Sequence, residues 1–303
     1  MDTIATQESW TGYMNRLSHS NGASTHLHLQ LAHARLTVMA LPALPKQRLA
    51  LLAKTLPLAY TELGPTSDLA VLLLHGGAGT NSVMGFAHAL AKTYRVIVPT
   101  HPGFDGESRP ESCYRIADLA WAYLALIEKL ELSKVLVVGS SMGGWIAAEI
   151  ALHQSPCVAG FVLINAAGVE PSSPDQTIVD PSKLPPSERV AMVFHDPVKF
   201  APPPPPPEAR KLMAGNQQAL QAYMGGPLMY DPKLKPRLDQ ITIPCMVVWG
   251  ESDRIIPSAY GRAFAKHIPN AQFALVKQAG HLPHIEQPDE VMRLFEEFKA
   301  KCG

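Results

Sequence analysis

The chain has 303 residues, with 26 Lys and Arg set against 26 Asp and Glu for a formal net charge of +0 at pH 7. That length can bury a full core and fits one large domain, or one domain with an insertion. The balanced charge gives no sign of the basic face of a nucleic-acid binder or the polybasic patch of an anionic-lipid binder, so a small molecule is the expected partner. Cys113, Cys157, Cys245 and Cys302 show neither C-x-x-C pairing nor Cys/His ligand spacing, so neither a metal site nor a disulfide framework is expected. Scattered free thiols suit a reducing, cytoplasmic compartment. No apolar run approaches the roughly 18 residues that a membrane span requires.

Residues 1–55 read as an N-terminal extension. Its first 50 residues carry only Asp2 and Glu8 as acids, a composition shared with transit peptides. Pro42, Pro45 and Pro57 interrupt its most helical part, and a loosely attached extension or a true start at Met39 suits the same residues. From Leu56 onward, short apolar runs alternate with longer amphipathic ones, the pattern of strands and crossover helices in an α/β sheet. Strand-like runs fall at 58–62, 69–74, 94–99, 133–139, 158–164, 243–250 and 272–276. Helix-like stretches fall at 81–92, 116–130, 142–153, 258–267 and 288–301. A mostly parallel sheet covered by helices is the expected fold. Between Gly168 and Leu238 the alternation stops, and 15 of the 28 prolines crowd into this stretch. It reads as a lid inserted over one end of the sheet, with helical pieces at 187–194 and 209–223. The domain reading is therefore a core of 56–167 and 239–303 with a lid of 168–238. Pro202 to Pro207 are expected to form a polyproline II strut about 19 Å long.

Gly139-Ser140-Ser141-Met142-Gly143 spells G-x-S-x-G between the apolar run Val135 to Val138 and a helix-like stretch. Three fixed positions match by chance in about one chain in ten of this length, so the partners must decide. A sharp strand-to-helix turn would expose Ser141 Oγ, with backbone N–H groups at the helix start converging on the same point. A serine needs a base, and the base an orienting acid. Gly280-His281 follows the last strand-like run, which favours His281 over His284 as the base. Asp253, in Trp249-Gly250-Glu251-Ser252-Asp253 after the apolar run 244–248, fits the acid, with Glu251 as the local competitor. Among His75-Gly76-Gly77-Ala78-Gly79, the N–H of Gly77, or else Ala78, is expected to join that of Met142 in an oxyanion hole. Trp145, Phe194, Tyr223, Met224 and Leu282 are candidate substrate-pocket residues, although apolar residues at helical spacing more often simply pack.

With these motifs in order, the chain from about Leu56 resembles the α/β-hydrolase superfamily in its single-lid branch. His101-Pro102-Gly103-Phe104 with Ser108, and Glu286-Gln287-Pro288 after His281, complete the likeness. The resemblance implies an eight-stranded, mostly parallel sheet with a helical lid after the sixth strand, and no metal or organic cofactor. Ser141 stands where related dehalogenases and epoxide hydrolases carry aspartate. The Ser-Met-Gly-Gly elbow is similar to those of carboxylesterases, cofactor-free perhydrolases and meta-cleavage-product C–C hydrolases. The last group usually has Trp shortly after the catalytic histidine, where this chain has Leu282 and Pro283. Hydrolysis of a small to medium carboxylic ester through an acyl-enzyme is the expected activity. C–C bond hydrolysis, perhydrolysis and a noncatalytic receptor role remain the alternatives.

Overall fold

Pro45–Gly303 forms a compact unit, the second of the two into which the chain divides. The computed structural model describes residues 46–51, 56–180, 183–224 and 229–302, all in the second unit, so the targeting and start-site readings lie outside the described residues.

Eight strands form one sheet in the order β1-β2-β4-β3-β5-β6-β7-β8. They are β1 (Gln47–Leu51), β2 (Leu56–Leu63), β3 (Ala70–Leu74), β4 (Arg95–Thr100), β5 (Val135–Ser140), β6 (Val158–Ile164), β7 (Cys245–Gly250) and β8 (Gln272–Val276). β1 and β2 run antiparallel to their neighbours, and the other pairings are parallel. The central strands Ala-Val-Leu-Leu-Leu and Val-Leu-Val-Val-Gly-Ser are buried along their whole length. That is the expected state of parallel strands with helices on both faces. All seven strand-like runs are strands, and β6 and β8 have the bounds read from the sequence. The eighth strand, β1, lies inside the stretch read as an extension, and its pairing register runs from Gln47 opposite Tyr60 to Leu51 opposite Leu56.

Helices α1 (Asn81–Leu90), α2 (Ile116–Lys129) and α3 (Met142–Leu152) follow β3, β4 and β5. After β6 come the lid helices α4 (Pro186–Val193), α5 (Pro197–Phe200) and α6 (Pro207–Met224). After β7 and β8 come α7 (Ser258–Lys266), the single turn α8 (Pro283–Glu286) and α9 (Pro288–Lys299). One core layer packs α2, α3 and α7 through residues such as Tyr123, Ile146 and Phe264. The other packs α1 and α9 through Phe86, Leu90, Phe295 and Phe298. α3 lies between the sheet and other elements with Met142 to Ala151 all buried, which its nearly unbroken apolar sequence requires.

Pro207, expected within the polyproline stretch, is instead the first residue of α6, as suits a residue with preset φ at a helix start. Buried Asn216, Ala219 and Tyr223 lie three and four residues apart and form the inward face of α6. The sheet order reverses at β3, with β4 on one side and β5 on the other. In open parallel sheets such a reversal leaves a crevice beyond the carboxyl ends of the strands. Here that crevice falls beyond Leu74 and Ser140.

Candidate active site

Ser141 follows β5 at once and adopts φ 55 and ψ −115, a strained conformation for a residue with a side chain. Its backbone is held on both sides: the N–H donates to Ile164 O at 2.9 Å, and the carbonyl accepts from Gly144 at 3.0 Å and Ala167 at 3.1 Å. Such a turn closes only if its flanks lack side chains. A Cβ on Gly139 would stand 2.1 Å from Gly143 O, and one on Gly143 would stand 2.2 Å from Leu74 O. Both contacts are with backbone, so nothing can swing aside.

Asp253, on the turn after β7, is buried and fully used. Its Oδ1 accepts from the N–H groups of Ile255 and Ile256 at 2.8 and 2.9 Å. Its Oδ2 accepts from His281 Nδ1 at 2.8 Å and from Asn165 Nδ2 at 2.5 Å. With Nδ1 donating to the carboxylate, Nε2 of the neutral ring would carry the lone pair. Glu251, the competing acid, is exposed, and its N–H donates to Val276 O. His284, the competing base, is buried on α8 with Nε2 bonded to Ser82 O at 2.9 Å. Among the described residues no hydrogen bond joins Ser141 Oγ to His281; such contacts often tighten only around substrate.

The glycine loop after β3 is built on two buried histidines. His101 donates its backbone N–H to His75 Nε2 at 3.1 Å, so His75 must carry its proton on Nδ1, which donates to Gly76 O at 2.7 Å. His101 Nε2 donates to His75 O at 2.9 Å, and its Nδ1 accepts from Tyr123 Oη. Burial pushes the His75 pKa down to about 4 and His101 well below the usual value, so both rings stay neutral at neutral pH. With the carbonyls of residues 75 and 76 tied inward, the Gly77 N–H is left without a partner among the described residues. The Met142 N–H, first in α3, has no intrahelical acceptor either. A Cβ on Gly76 would come 3.0 Å from Ser141 Cβ, which fixes how closely the loop approaches the serine.

The lid helix lies against this loop, where a Cβ on Gly77 would come 2.6 Å from Leu220 Cδ2. Asn216 and Asp105 bond reciprocally. Asp105 N donates to Asn216 Oδ1 at 2.7 Å, and Asn216 Nδ2 donates to Asp105 Oδ1 at 2.9 Å. Asp105 Oδ2 also accepts from the N–H and hydroxyl of Thr80. Burial raises the Asp105 pKa, but these hydrogen bonds outweigh it and hold the carboxyl below the usual range.

Of the five pocket candidates, Trp145 packs over Gly168, and Tyr223 Oη donates to Pro102 O at 3.0 Å. Phe194 stacks on Phe200, Met224 is buried, and Leu282 is half-buried just before α8. Leu220, an apolar residue of the lid, Glu286, of the motif that follows His281, and Asn165 also contact this site, and of these only Asn165 was not singled out in the sequence. Asn165 had one legible signal, a polar residue directly after the apolar β6. Among the described residues no cluster of three or more His, Cys, Asp or Glu is arranged to hold a metal, and no helix is long and apolar enough to cross a membrane.

Residues 71–294 match the profile of a family described as "Alpha/beta hydrolase family". The chain belongs to the alpha/beta hydrolase family. It is 27% identical over 256 residues to Lipase 1 of Psychrobacter immobilis, with 80% of each chain covered. It is 26% identical over 264 residues to 2-hydroxy-6-oxononadienedioate/2-hydroxy-6-oxononatrienedioate hydrolase 1 of Dechloromonas aromatica (strain RCB), covering 80% of this chain and 90% of that one. A thermophilic esterase from Thermogutta terrifontis superposes with a TM-score of 0.68 at 23% identity, over 85% of this chain and 99% of that one. This last likeness establishes the alpha/beta hydrolase fold with its lid.

Proposed function

We propose that the protein is a serine hydrolase in which Ser141 is the nucleophile, His281 the base and Asp253 the orienting acid, acting on small to medium carboxylic esters. The observation that carries this reading is the 2.8 Å bond from His281 Nδ1 to Asp253, on the same sheet edge as the strained Ser141 elbow. In the proposed reaction His281 Nε2 takes the Ser141 proton as Oγ attacks the ester carbonyl. The N–H groups of Gly77 and Met142 stabilise the resulting oxyanion, each donor being worth about 2.7 to 4 kcal/mol. Collapse expels the alcohol, protonated by His281, and leaves an acyl-enzyme. Water activated by the same imidazole then releases the acid.

A panel of p-nitrophenyl esters graded by acyl length, with fluorophosphonate labelling and mass identification of the modified residue, tests the assignment. Turnover and label on Ser141 are expected, and Ser141→Ala should lower kcat by about a million-fold. Esterase activity retained by pure Ser141→Ala protein would rule the nucleophile out. The Dechloromonas relative supports a second reading, C–C hydrolysis of a ring-fission dienoate. Bleaching of such a coloured dienoate, with little ester turnover, would favour it.

A further inference from the structure

We infer that Glu286 is a positioning residue for the base, and that it does so by clamping the His281 loop to the lid segment 193–196. This rests on the assignment of His281 as the base. The Glu286 side chain is buried, and its carboxylate takes backbone donors from two separate parts of the chain. Oε2 accepts from Gly280 N at 2.5 Å, the residue immediately before His281. Oε1 accepts from His195 N at 2.9 Å and Asp196 N at 3.1 Å, just beyond α4 in the lid. A carboxylate satisfied in this way holds three N–H groups in one place, and such charge-assisted bonds are about twice as strong as neutral ones.

The same two segments meet again without Glu286. His281 donates its own N–H to Val193 O at 2.7 Å. The backbones approach so closely that a Cβ on Gly280 would stand 2.2 Å from Val193 O, which explains the glycine before the base. The acid loop joins the clamp as well. Ser252 Oγ bonds His195 Nδ1 at 2.7 Å, and Arg254 donates to Ala191 O at 2.6 Å. The lid end of α4 is thus bonded to the base loop and to both neighbours of Asp253. Displacing this part of the lid must disturb His281 relative to Asp253, which ties base alignment to lid position.

The test compares Glu286→Ala and Glu286→Gln with the native protein, by ester kinetics and by NMR of the low-field Nδ1–H proton of His281. Removal of all acceptors in Glu286→Ala should lower kcat about a hundredfold with KM nearly unchanged, a loss in the range of general-base contributions. It should also broaden or abolish the low-field proton. Glu286→Gln retains one of the two acceptor oxygens and should recover only part of the rate and of the resonance. If Glu286→Ala does not fold, the same readouts on Glu286→Gln decide, with an intermediate loss expected. Native kcat and an unchanged resonance in the folded variants would overturn the inference, as would absence of the resonance from the native protein. Loss of the resonance in a protein that cleaves no ester would uphold the clamp while removing the ester reading.

Discussion

Ser141 occupies a backbone region that costs of order 1 to 3 kcal/mol for a residue with a side chain, so its surroundings must enforce the geometry. Glycines at 139 and 143 and the hydrogen bonds to Ile164 and Ala167 do so. Asn165 extends the same scaffold to the acid: Nδ2 donates to Asp253 Oδ2, and Oδ1 accepts from Gly250 N at 3.2 Å. Because its side chain spans two loops, Asn165→Ala should leave buried partners unsatisfied and cost about 1 to 3 kcal/mol of stability. In the proposed mechanism it should also lower kcat about tenfold, since Asn165 helps hold the carboxylate that orients His281 and a misplacement of about 1 Å can cost about a hundredfold. Urea melts and ester kinetics on the purified variant check both numbers, and unchanged values for both would remove Asn165 from the site. Ser141, Asp253 and His281 could be singled out as candidates in the sequence because each sits beyond an apolar run, where a strand ends and a loop begins. Asn165 shows only as a polar residue directly after an apolar strand, and Glu286 only as part of the motif that follows His281, with nothing in the sequence to say what either touches. Their partners lie 88 and 91 residues away, at Asp253 and His195.

At the scale of elements, the sequence located the long helices within a residue or two, most of them by the one apolar stripe each buries and α3 by its nearly unbroken apolar run. α1, for example, ends at Leu90 rather than Lys92, since Ala91 already caps it with N–H bonds to the preceding turn. β1 escaped because Gln-Arg-Leu-Ala-Leu gains its place from outside itself, through pairing with β2, Arg48 on Glu107 and Tyr60 Oη on Gln47. The single turns α5 and α8 are too short to show a period at all. The lid helix α6 gives the clearest prediction at this scale. Its inward face is fixed to the core by the reciprocal bonds of buried Asn216 with Asp105 and by the Tyr223 hydroxyl. Asn216→Ala deletes the reciprocal bonds and should loosen the helix while leaving the sheet intact. Amide hydrogen exchange across 207–224 should then quicken, with protection in β3 and β5 unchanged. If exchange in α6 stays as slow as in the native protein, the Asn216 bonds do not hold the lid.

For the molecule as a whole, the buried histidines set an acid limit on stability. Burial pushes His75 and His284 down to about 4, and takes His101 well below the ordinary value. In the unfolded chain each would titrate near 6.5. Between those values the unfolded chain binds protons that the folded chain refuses, so stability is complete above pH 6.5 and is lost as pH falls toward 4. At pH 5 the loss is about 2 kcal/mol for His284 and of the same order for His75, with His101 acting in the same direction, against the 5 to 15 kcal/mol typical of folded domains. Paired carboxylates such as Asp105 add their loss only at lower pH, since hydrogen bonds hold that group below its usual range. Urea melts at pH 7.5, 6 and 5 should therefore show stability falling steadily across that range. His284 offers the cleanest control, because its one hydrogen bond is to Ser82 O and its Nδ1 has no partner. His284→Gln keeps a donor for Ser82 and removes one titrating ring, so it should flatten the slope between pH 6.5 and 5. A slope equal to that of the native protein would mean that His284 is not among the groups that drive acid unfolding.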